Sequence, residues 1–226
     1  MLYIIYGFLF GLIIPSMARR FAKFMPVSAA ETIYRLLCPV KHVSKHKQKN
    51  NPHYQTLQLK LFYRSCLYGI LCASLFITAA LHFDRQGLWG ILAFVWALLL
   101  LLEIDYKTYL LPDIITIPLL IGGFCFSVFE GTWILSAESA IGATLGFILP
   151  TIAELLMIWK RQNAIGLGDI KLFAAVGAWI GIQPITYCLV LSCLLFAIQA
   201  LILRQREGAF GPAISAAAII VAFYFF

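Results

Sequence analysis

Long runs of apolar residues divide this sequence into blocks, several of which are long enough to cross a membrane as a helix. Roughly 20 residues of α-helix cross a hydrocarbon layer about 30 Å thick. Hydrophobic residues make up 62% of the 226 positions and charged residues 12%, whereas a soluble domain is about half apolar and one quarter charged. A water-soluble fold of this composition would lack a polar surface. The sequence therefore predicts an all-α, polytopic membrane helical bundle.

The apolar runs predict eight transmembrane helices. Their approximate bounds are 2–18, 65–82, 87–104, 113–129, 136–158, 170–183, 185–203 and 209–226. The sixth run ends before Gln183 and Pro184 and would form only about 21 Å of helix, so a count of seven, or a re-entrant sixth segment, stays open. The first run lacks the basic residues that precede the apolar part of a cleavable signal peptide, and we interpret it as a retained span.

Basic residues lie almost entirely on one side of this layout. With segment 19–64 in the cytoplasm, 16 of the 17 lysines and arginines fall on that side and only Arg85 falls outside. Because basic loops stay in the cytoplasm, the asymmetry predicts a bacterial inner-membrane protein with both termini in the periplasm. It also accounts for the net charge of +7 without nucleic-acid binding, since no soluble module interleaves basic and aromatic residues.

The chain is expected to divide into a first span with its basic loop, 1–64, and a membrane-embedded core, 65–226. Within the loop, segment 28–31 is a capping-box pattern that predicts a short helix over 32–37. The basic stretch 41–51 is expected to contact anionic lipid headgroups.

Metal-binding patterns are weak in this sequence. The six cysteines include no CxxC pair, which argues against a tetracysteine zinc site. Most of them lie in apolar runs, where cysteine behaves as a small hydrophobic residue, and we expect no structural disulfide. His42 and His46 have the i,i+4 spacing of a helical metal pair, but their lysine-rich surroundings favour two solvated side chains. We therefore predict no metal site.

Two acidic clusters lie at the cytoplasmic side of the predicted bundle. They are Glu103-Ile-Asp105 with Leu111-Pro112-Asp113, and Gly166-Leu-Gly168-Asp169-Ile-Lys171. Asp105 and Asp169 belong to different helices, yet the topology puts both at one membrane face. Two carboxylates in one site cannot both ionise at low cost, so they share a proton. One can then act as a general base on water while the other polarises a carbonyl, as in aspartic peptidases.

Simpler roles are available for some of these residues. Asp113 and Asp169 both stand at predicted helix starts, where a carboxylate commonly caps the backbone, and capping is the main role we expect for Asp113. The glycines of the second cluster allow close backbone approach but lack the strand and lysine of a phosphate loop. Glu154, inside the fifth span, either lines the site or pairs with another polar group across the bundle.

Glycine pairs at small-xxx-small spacing occur in three predicted helices and predict close helix packing, chiefly within the chain. They are Gly7/Gly11, Gly142/Gly146 and Gly177/Gly181.

The acidic clusters resemble the motifs of the type IV prepilin peptidases, a family of GxGD-type intramembrane aspartic peptidases. The resemblance covers about residues 95–226 and includes Asp105 through Leu111-Pro112-Asp113, Gly166-Leu-Gly168-Asp169-Ile-Lys171 and Phe210-Gly211-Pro212. It implies that Asp105 and Asp169 are catalytic. It also implies that prepilins or pseudopilins of type IV pili or type II secretion are cut at the cytoplasmic face, between a basic leader and an apolar mature N-terminus. Many members then methylate the new terminus with S-adenosylmethionine.

Six neighbouring residues are expected to support the site: Lys107, Pro112, Asp113, Gly166, Gly168 and Lys171. The two lysines would either orient the substrate or anchor helix ends. The N-terminal part departs from the family pattern, because the loop has only Cys38 where many members have two zinc-binding CxxC pairs. We therefore expect a form without zinc, in which the peptidase needs no cofactor and methylation, with its S-adenosylmethionine, is in doubt.

Two other functions were weighed against the peptidase. A transporter or channel component would use membrane carboxylates for protons or cations, but near the midplane and in discontinuous helices, whereas this pair lies at the cytoplasmic edge. An inactive assembly subunit would not need both Asp105 and Asp169. The particular prepilin and the oligomeric state stay open.

The topology can be tested with reporter fusions. A reporter fused after Asn51 should give a cytoplasmic signal and one fused near Glu130 a periplasmic signal, because the basic residues favour that orientation. Paired alkaline phosphatase and fluorescent-protein fusions measure both sides. A periplasmic signal at Asn51 would invert the topology and place both aspartates on the outer face.

Overall fold

The computed structural model describes residues 2–24, 52–83, 85–129, 132–159, 166–203 and 208–226. These residues form eight α-helices and include no strand. The helices are α1 (Leu2–Phe24), α2 (Pro52–His82), α3 (Arg85–Thr108), α4 (Asp113–Val128), α5 (Ser136–Trp159), α6 (Leu167–Ile180), α7 (Ile182–Leu203) and α8 (Gly211–Phe225). Each predicted span corresponds to one of these helices, which confirms the all-helical class.

Five of the described helices are long and apolar enough to cross a membrane: α1, α2, α3, α5 and α7. Helices α4 and α8 are shorter apolar helices, and α6 has only 14 residues. Large apolar side chains such as Leu155 and Leu201 are exposed on α5 and α7, as suits surfaces that face lipid. The chain is thus a multi-pass membrane bundle.

Some helix ends differ from those predicted from the apolar runs. Helix α2 begins at Pro52 rather than near residue 65, because a helix can continue through polar residues beyond the apolar core of a span. Helix α6 ends at Ile180, and Gly181 has a φ of +79°, a conformation that glycine adopts without strain. Pro184 therefore does not end α6. It lies in the first turn of α7, where proline removes no intrahelical hydrogen bond.

The chain divides into two compact units, residues 1–78 and 79–226. In the first unit, α1 approaches α2 through its two glycines: a Cβ at Gly7 would lie 2.8 Å from the Cα of Ala73, and a Cβ at Gly11 would collide with the backbone of Tyr68 and Gly69. This contact confirms the prediction that the first glycine pair serves packing within the chain.

The second unit is built around α3 and α6. Helix α3 buries Phe94, Leu98 and Leu101 completely, and α6 is buried from Leu172 to Ile180. A side chain at Gly142 or Gly146 of α5 would meet the backbone of α6, so these helices touch backbone to backbone.

Two hydrogen bonds fix the far end of α6. The indole N–H of Trp179 donates to the carbonyl of Leu119 in α4 at 2.8 Å, and the hydroxyl of Ser139 in α5 donates to the carbonyl of Ala178 at 2.6 Å. Both donors are side chains that would otherwise be buried without a partner. Helix α6 is therefore held on two sides at the end opposite to Asp169.

Several predictions fall outside the described residues. They concern the short helix over 32–37, the lipid-contacting stretch 41–51, Cys38, and the pair His42 and His46. The division of the chain into a first span with its basic loop, 1–64, and a membrane-embedded core, 65–226, stays a prediction.

Candidate active site

Asp105 lies near the end of α3 and is almost completely buried, with 4% of its surface exposed. Its Oδ2 accepts a hydrogen bond from the backbone N–H of Gly211 at 2.9 Å. Gly211 is the first residue of α8, where backbone N–H groups have no partner within the helix. The start of α8 thus supplies a donor, and the positive end of a helix dipole, to the Asp105 carboxylate.

Gly211 is needed for this contact because a side chain would not fit. A Cβ at this position would lie 2.7 Å from Oδ2 of Asp105 and 2.9 Å from its Cγ. Pro212 follows in the first turn of α8, where its missing N–H costs nothing. The Phe210-Gly211-Pro212 segment therefore starts a helix whose first N–H points at Asp105.

Asp169 lies in the first turn of α6 and is partly buried. Its Oδ2 accepts a hydrogen bond from the backbone N–H of Gly166, the N-cap residue, at 3.3 Å. This is the carboxylate half of a capping box. The structural role considered for Asp169 is therefore present, and it coexists with a place in the site.

Both carboxylates line one cavity of about 610 Å³. The structure thus brings together the two aspartates that the sequence singled out. Two carboxylates so placed cannot both ionise at low cost, so a shared proton is favoured. Such a pair can accept a proton from water and donate one to an adjacent group.

The rest of the cavity wall is mostly apolar. It is formed by Tyr109, Leu149, Pro150, Ala153, Met157, Gly166, Phe173, Leu189, Cys193, Phe196, Gly208, Ala209 and Phe210. Most of these residues belong to α5, α7 and the segment before α8. A cavity of this size and character suits an apolar ligand held by a few polar groups.

A sequence comparison identifies the region that contains this cavity. Residues 92–201 match the type IV leader peptidase family, and this range holds Asp105, Asp169 and most of the cavity wall. The matched residues therefore include both aspartates of the cavity.

Several curated proteins are also similar to this chain. The chain is 36% identical over 135 residues to a prepilin leader peptidase/N-methyltransferase of Aeromonas salmonicida, covering 55% of this chain and 46% of the relative. It is 38% identical over 128 residues to that of Klebsiella pneumoniae, covering 56% of each. With that of Neisseria gonorrhoeae it shares 30% identity over 169 residues, covering 73% of this chain and 59% of the relative. The chain spans about half the length of the curated relatives it matches. No solved structure matches it.

Asp113 does not have the capping role expected from the sequence. The N-cap of α4 is Pro112, and Asp113 is the first helical residue. Its two carboxylate oxygens accept hydrogen bonds from Nζ of Lys171 at 2.8 and 2.7 Å. The expectation was wrong because proline, with its fixed φ, sets the start of this helix. Neither Asp113 nor Lys171 is among the residues that line the cavity.

Lys107 and Gly168 have local structural contacts. Nζ of Lys107 lies 2.6 Å from Oε1 of Glu103, one turn earlier on α3, so this lysine anchors the helix end. A Cβ at Gly168 would lie 3.0 Å from Cβ of Leu111. Gly168 therefore lets the connection between α3 and α4 pack against the first turn of α6.

The apolar wall residues were missed by the sequence reasoning. Pro150, Ala153 and Met157 recur at helical spacing on α5, as Leu189, Cys193 and Phe196 do on α7. In a soluble protein such a stripe would stand out, but these helices are apolar on every side. Glu154, which was considered for the site, is not among the residues that line the cavity.

Metal ligands are sparse in the part of the chain that the structure describes. No group of three or more His, Cys, Asp or Glu side chains there could hold an ion. The cysteines described are free: Cys66, Cys72, Cys125, Cys188 and Cys193. The loop ligands considered from the sequence lie outside these residues, so the absence of zinc stays a prediction.

The contact between Gly211 and Asp105 predicts a specific destabilisation. Gly211→Ala should lower the apparent melting temperature in detergent, by overpacking worth about 1–3 kcal/mol. Gly208→Ala is the matched control, since a Cβ there meets Phe196 at an ordinary 3.5 Å. In an Asp105→Ala background Gly211→Ala should lower the melting temperature by less. The reason is that Asp105→Ala removes Oδ2 and Cγ, the two atoms that lie nearest to the added Cβ, and substitutions at contacting residues are not additive. Equal costs in both backgrounds would contradict the contact.

Proposed function

We propose that the chain is a membrane aspartic endopeptidase that removes the basic leader from type IV prepilins or pseudopilins at the cytoplasmic face. The observation that carries the proposal is that Asp105 and Asp169 line one cavity and lie within the residues that match the type IV leader peptidase family. The relatives are named as prepilin leader peptidases, which supports the same activity, and this chain aligns with about half of the length of each.

The chemistry follows from a pair of carboxylates that holds one proton. The ionised carboxylate removes a proton from a water molecule, whose oxygen attacks the carbonyl carbon of the scissile peptide bond. The protonated carboxylate polarises the carbonyl oxygen. The pair then delivers a proton to the leaving nitrogen as the C–N bond breaks, which gives a leader with a new carboxyl group and a mature chain with a new amino terminus. The Gly211 N–H orients Asp105 throughout.

The apolar wall fits the proposed substrate. Residues of α5 and α7, such as Met157, Leu189 and Phe196, would contact the apolar segment that follows the scissile bond. In the membrane this contact would favour binding through van der Waals packing, because lipid tails are as apolar as the side chains and no water is excluded. Asp105 and Asp169 would then lie beside the scissile peptide bond, at the end of that apolar segment.

The position of the carboxylates favours a peptidase over a transporter. Asp105 is in the last turn of α3 before Thr108, and Asp169 is in the first turn of α6. With the orientation that the basic residues favour, both are at the cytoplasmic edge of the inner membrane. Carboxylates that carry ions across a membrane are expected nearer the midplane.

Loss of either carboxylate should abolish cleavage. Asp105→Asn and Asp169→Asn should each lower the turnover of a prepilin on the order of 10³-fold or more, because an amide cannot take part in proton sharing. The purified enzyme would be incubated with a prepilin and the new N-terminus determined by mass spectrometry. Glu138→Gln is the control, since Glu138 is an exposed carboxylate in the first turn of α5, away from the cavity. Near wild-type turnover in either Asn variant would refute the assignment.

We propose further that cleavage needs no zinc and that methylation of the product is weak or absent. The relatives are named as N-methyltransferases as well as peptidases, and S-adenosylmethionine would be the methyl donor. A structural zinc site needs four Cys or His ligands. The sequence lacks the paired cysteines that would supply them.

Elemental analysis and a methyl-transfer assay test this second proposal. Purified protein should contain far less than one zinc per chain, and a chelator should leave prepilin cleavage unchanged. The cleaved product should gain few methyl groups when S-adenosylmethionine is supplied. Stoichiometric zinc would overturn the first part, and efficient methylation the second.

A further inference from the structure

The ion pair between Asp113 and Lys171 connects the two segments that carry the candidate catalytic aspartates. Asp113 begins α4, directly after the connection that follows Asp105 and the end of α3. Lys171 is on α6, two residues beyond Asp169. The lysine ammonium donates to both oxygens of Asp113, at 2.8 and 2.7 Å. One interaction thus ties the two aspartate motifs together.

A second contact joins the same two segments. The first turn of α6 approaches the connection closely at Gly168, where a Cβ would lie 3.0 Å from Cβ of Leu111. The connection also contains Tyr109, which lines the cavity and has a φ of +55°, a conformation that side chains other than glycine adopt rarely. A connection in this state holds its shape only when it is attached elsewhere.

Stability alone does not account for the ion pair. The side chains of Lys171 and Asp113 are 43% and 48% exposed, and exposed ion pairs contribute little to folding. A displacement of about 1 Å in a catalytic group, by contrast, can cost on the order of 10²-fold in rate. The ion pair therefore affects the alignment of the two aspartates more than the free energy of folding.

We propose that Asp113 and Lys171 are positioning residues, and that their ion pair sets the spacing of Asp105 and Asp169. The inference rests on the proposed peptidase function. Two donors of the Lys171 ammonium are directed to Asp113, and neither residue lines the cavity. The pair acts through the α3–α4 connection and the first turn of α6 rather than by contact with the substrate.

Charge removal and charge exchange test the proposal through prepilin cleavage. Asp113→Asn and Lys171→Met should each lower kcat about 10–100-fold with KM changed by less than about twofold, since binding surfaces are untouched. Lys171→Arg should keep most of the activity, because arginine can bind both carboxylate oxygens. The exchange Asp113→Lys with Lys171→Asp should recover at least about tenfold over the double removal Asp113→Asn with Lys171→Met. Glu138→Gln and Lys60→Met, which remove an exposed charge elsewhere, should leave kcat unchanged.

Three results would overturn the proposal. One is a wild-type kcat in both single variants. Another is a raised KM with unchanged kcat in Lys171→Met, which would make Lys171 a substrate contact. The third is a folded exchange variant that is no more active than the double removal. If the single variants fail to fold, the exchange variant and Lys171→Arg decide the matter, since both keep an ion pair.

A measurement without substrate separates this proposal from the proposed function. Leu110 in the connection and Leu167 at the start of α6 are both exposed, and a spin-labelled amino acid can be incorporated at each. The distribution of distances between them should broaden in Asp113→Asn and narrow again in the exchange variant. An unchanged distance distribution refutes the positioning role of the Asp113–Lys171 ion pair. A wild-type protein that cleaves no prepilin refutes the peptidase function instead.

Discussion

The cost of placing two carboxylates at one end of an apolar bundle is the constraint on which the other features of the site depend. A buried carboxylate needs hydrogen-bond donors. Asp105 obtains one from Gly211 and Asp169 obtains one from Gly166. Both donors are backbone N–H groups where a helix begins, and such groups have no partner within their own helix. Helix starts therefore stabilise the pair of carboxylates.

Two lysines near the site, among the residues that the structure describes, form ion pairs with other acidic residues. Lys107 pairs with Glu103, and Lys171 pairs with Asp113. This separation has a chemical reason, because a cation bound directly to a catalytic carboxylate would keep it ionised. A neutral N–H donor orients the same oxygen and still allows the carboxylate to take up and release a proton. The two lysines thus form ion pairs with Glu103 and Asp113, whereas Asp105 and Asp169 accept hydrogen bonds from neutral backbone N–H groups.

Much of the fold and the centre of the site could be predicted from the sequence, because both depend on strong local signals. Apolar runs mark the helices, and ionisable residues at membrane depth are costly enough to mark Asp105 and Asp169. The role of Asp113 was wrong, since a carboxylate at a helix start gives no sign of a partner 58 residues away. The apolar cavity wall gave no signal, because helices in lipid are apolar on all faces and periodicity then has no contrast.

The position of Asp169 follows from packing at the opposite end of its helix. Helix α6 has 14 residues, and it is held near its C-terminal end by the hydrogen bonds of Trp179 and Ser139. Its middle contacts α5 closely at Gly142 and Gly146, where a side chain would collide with the backbone of α6. Because a helix rises a fixed 1.5 Å per residue, anchoring one end also sets the depth of the other. The GxGD segment supplies the carboxylate of Asp169, and the close contact of α6 with the glycines of α5 fixes the position of that carboxylate along the helix axis.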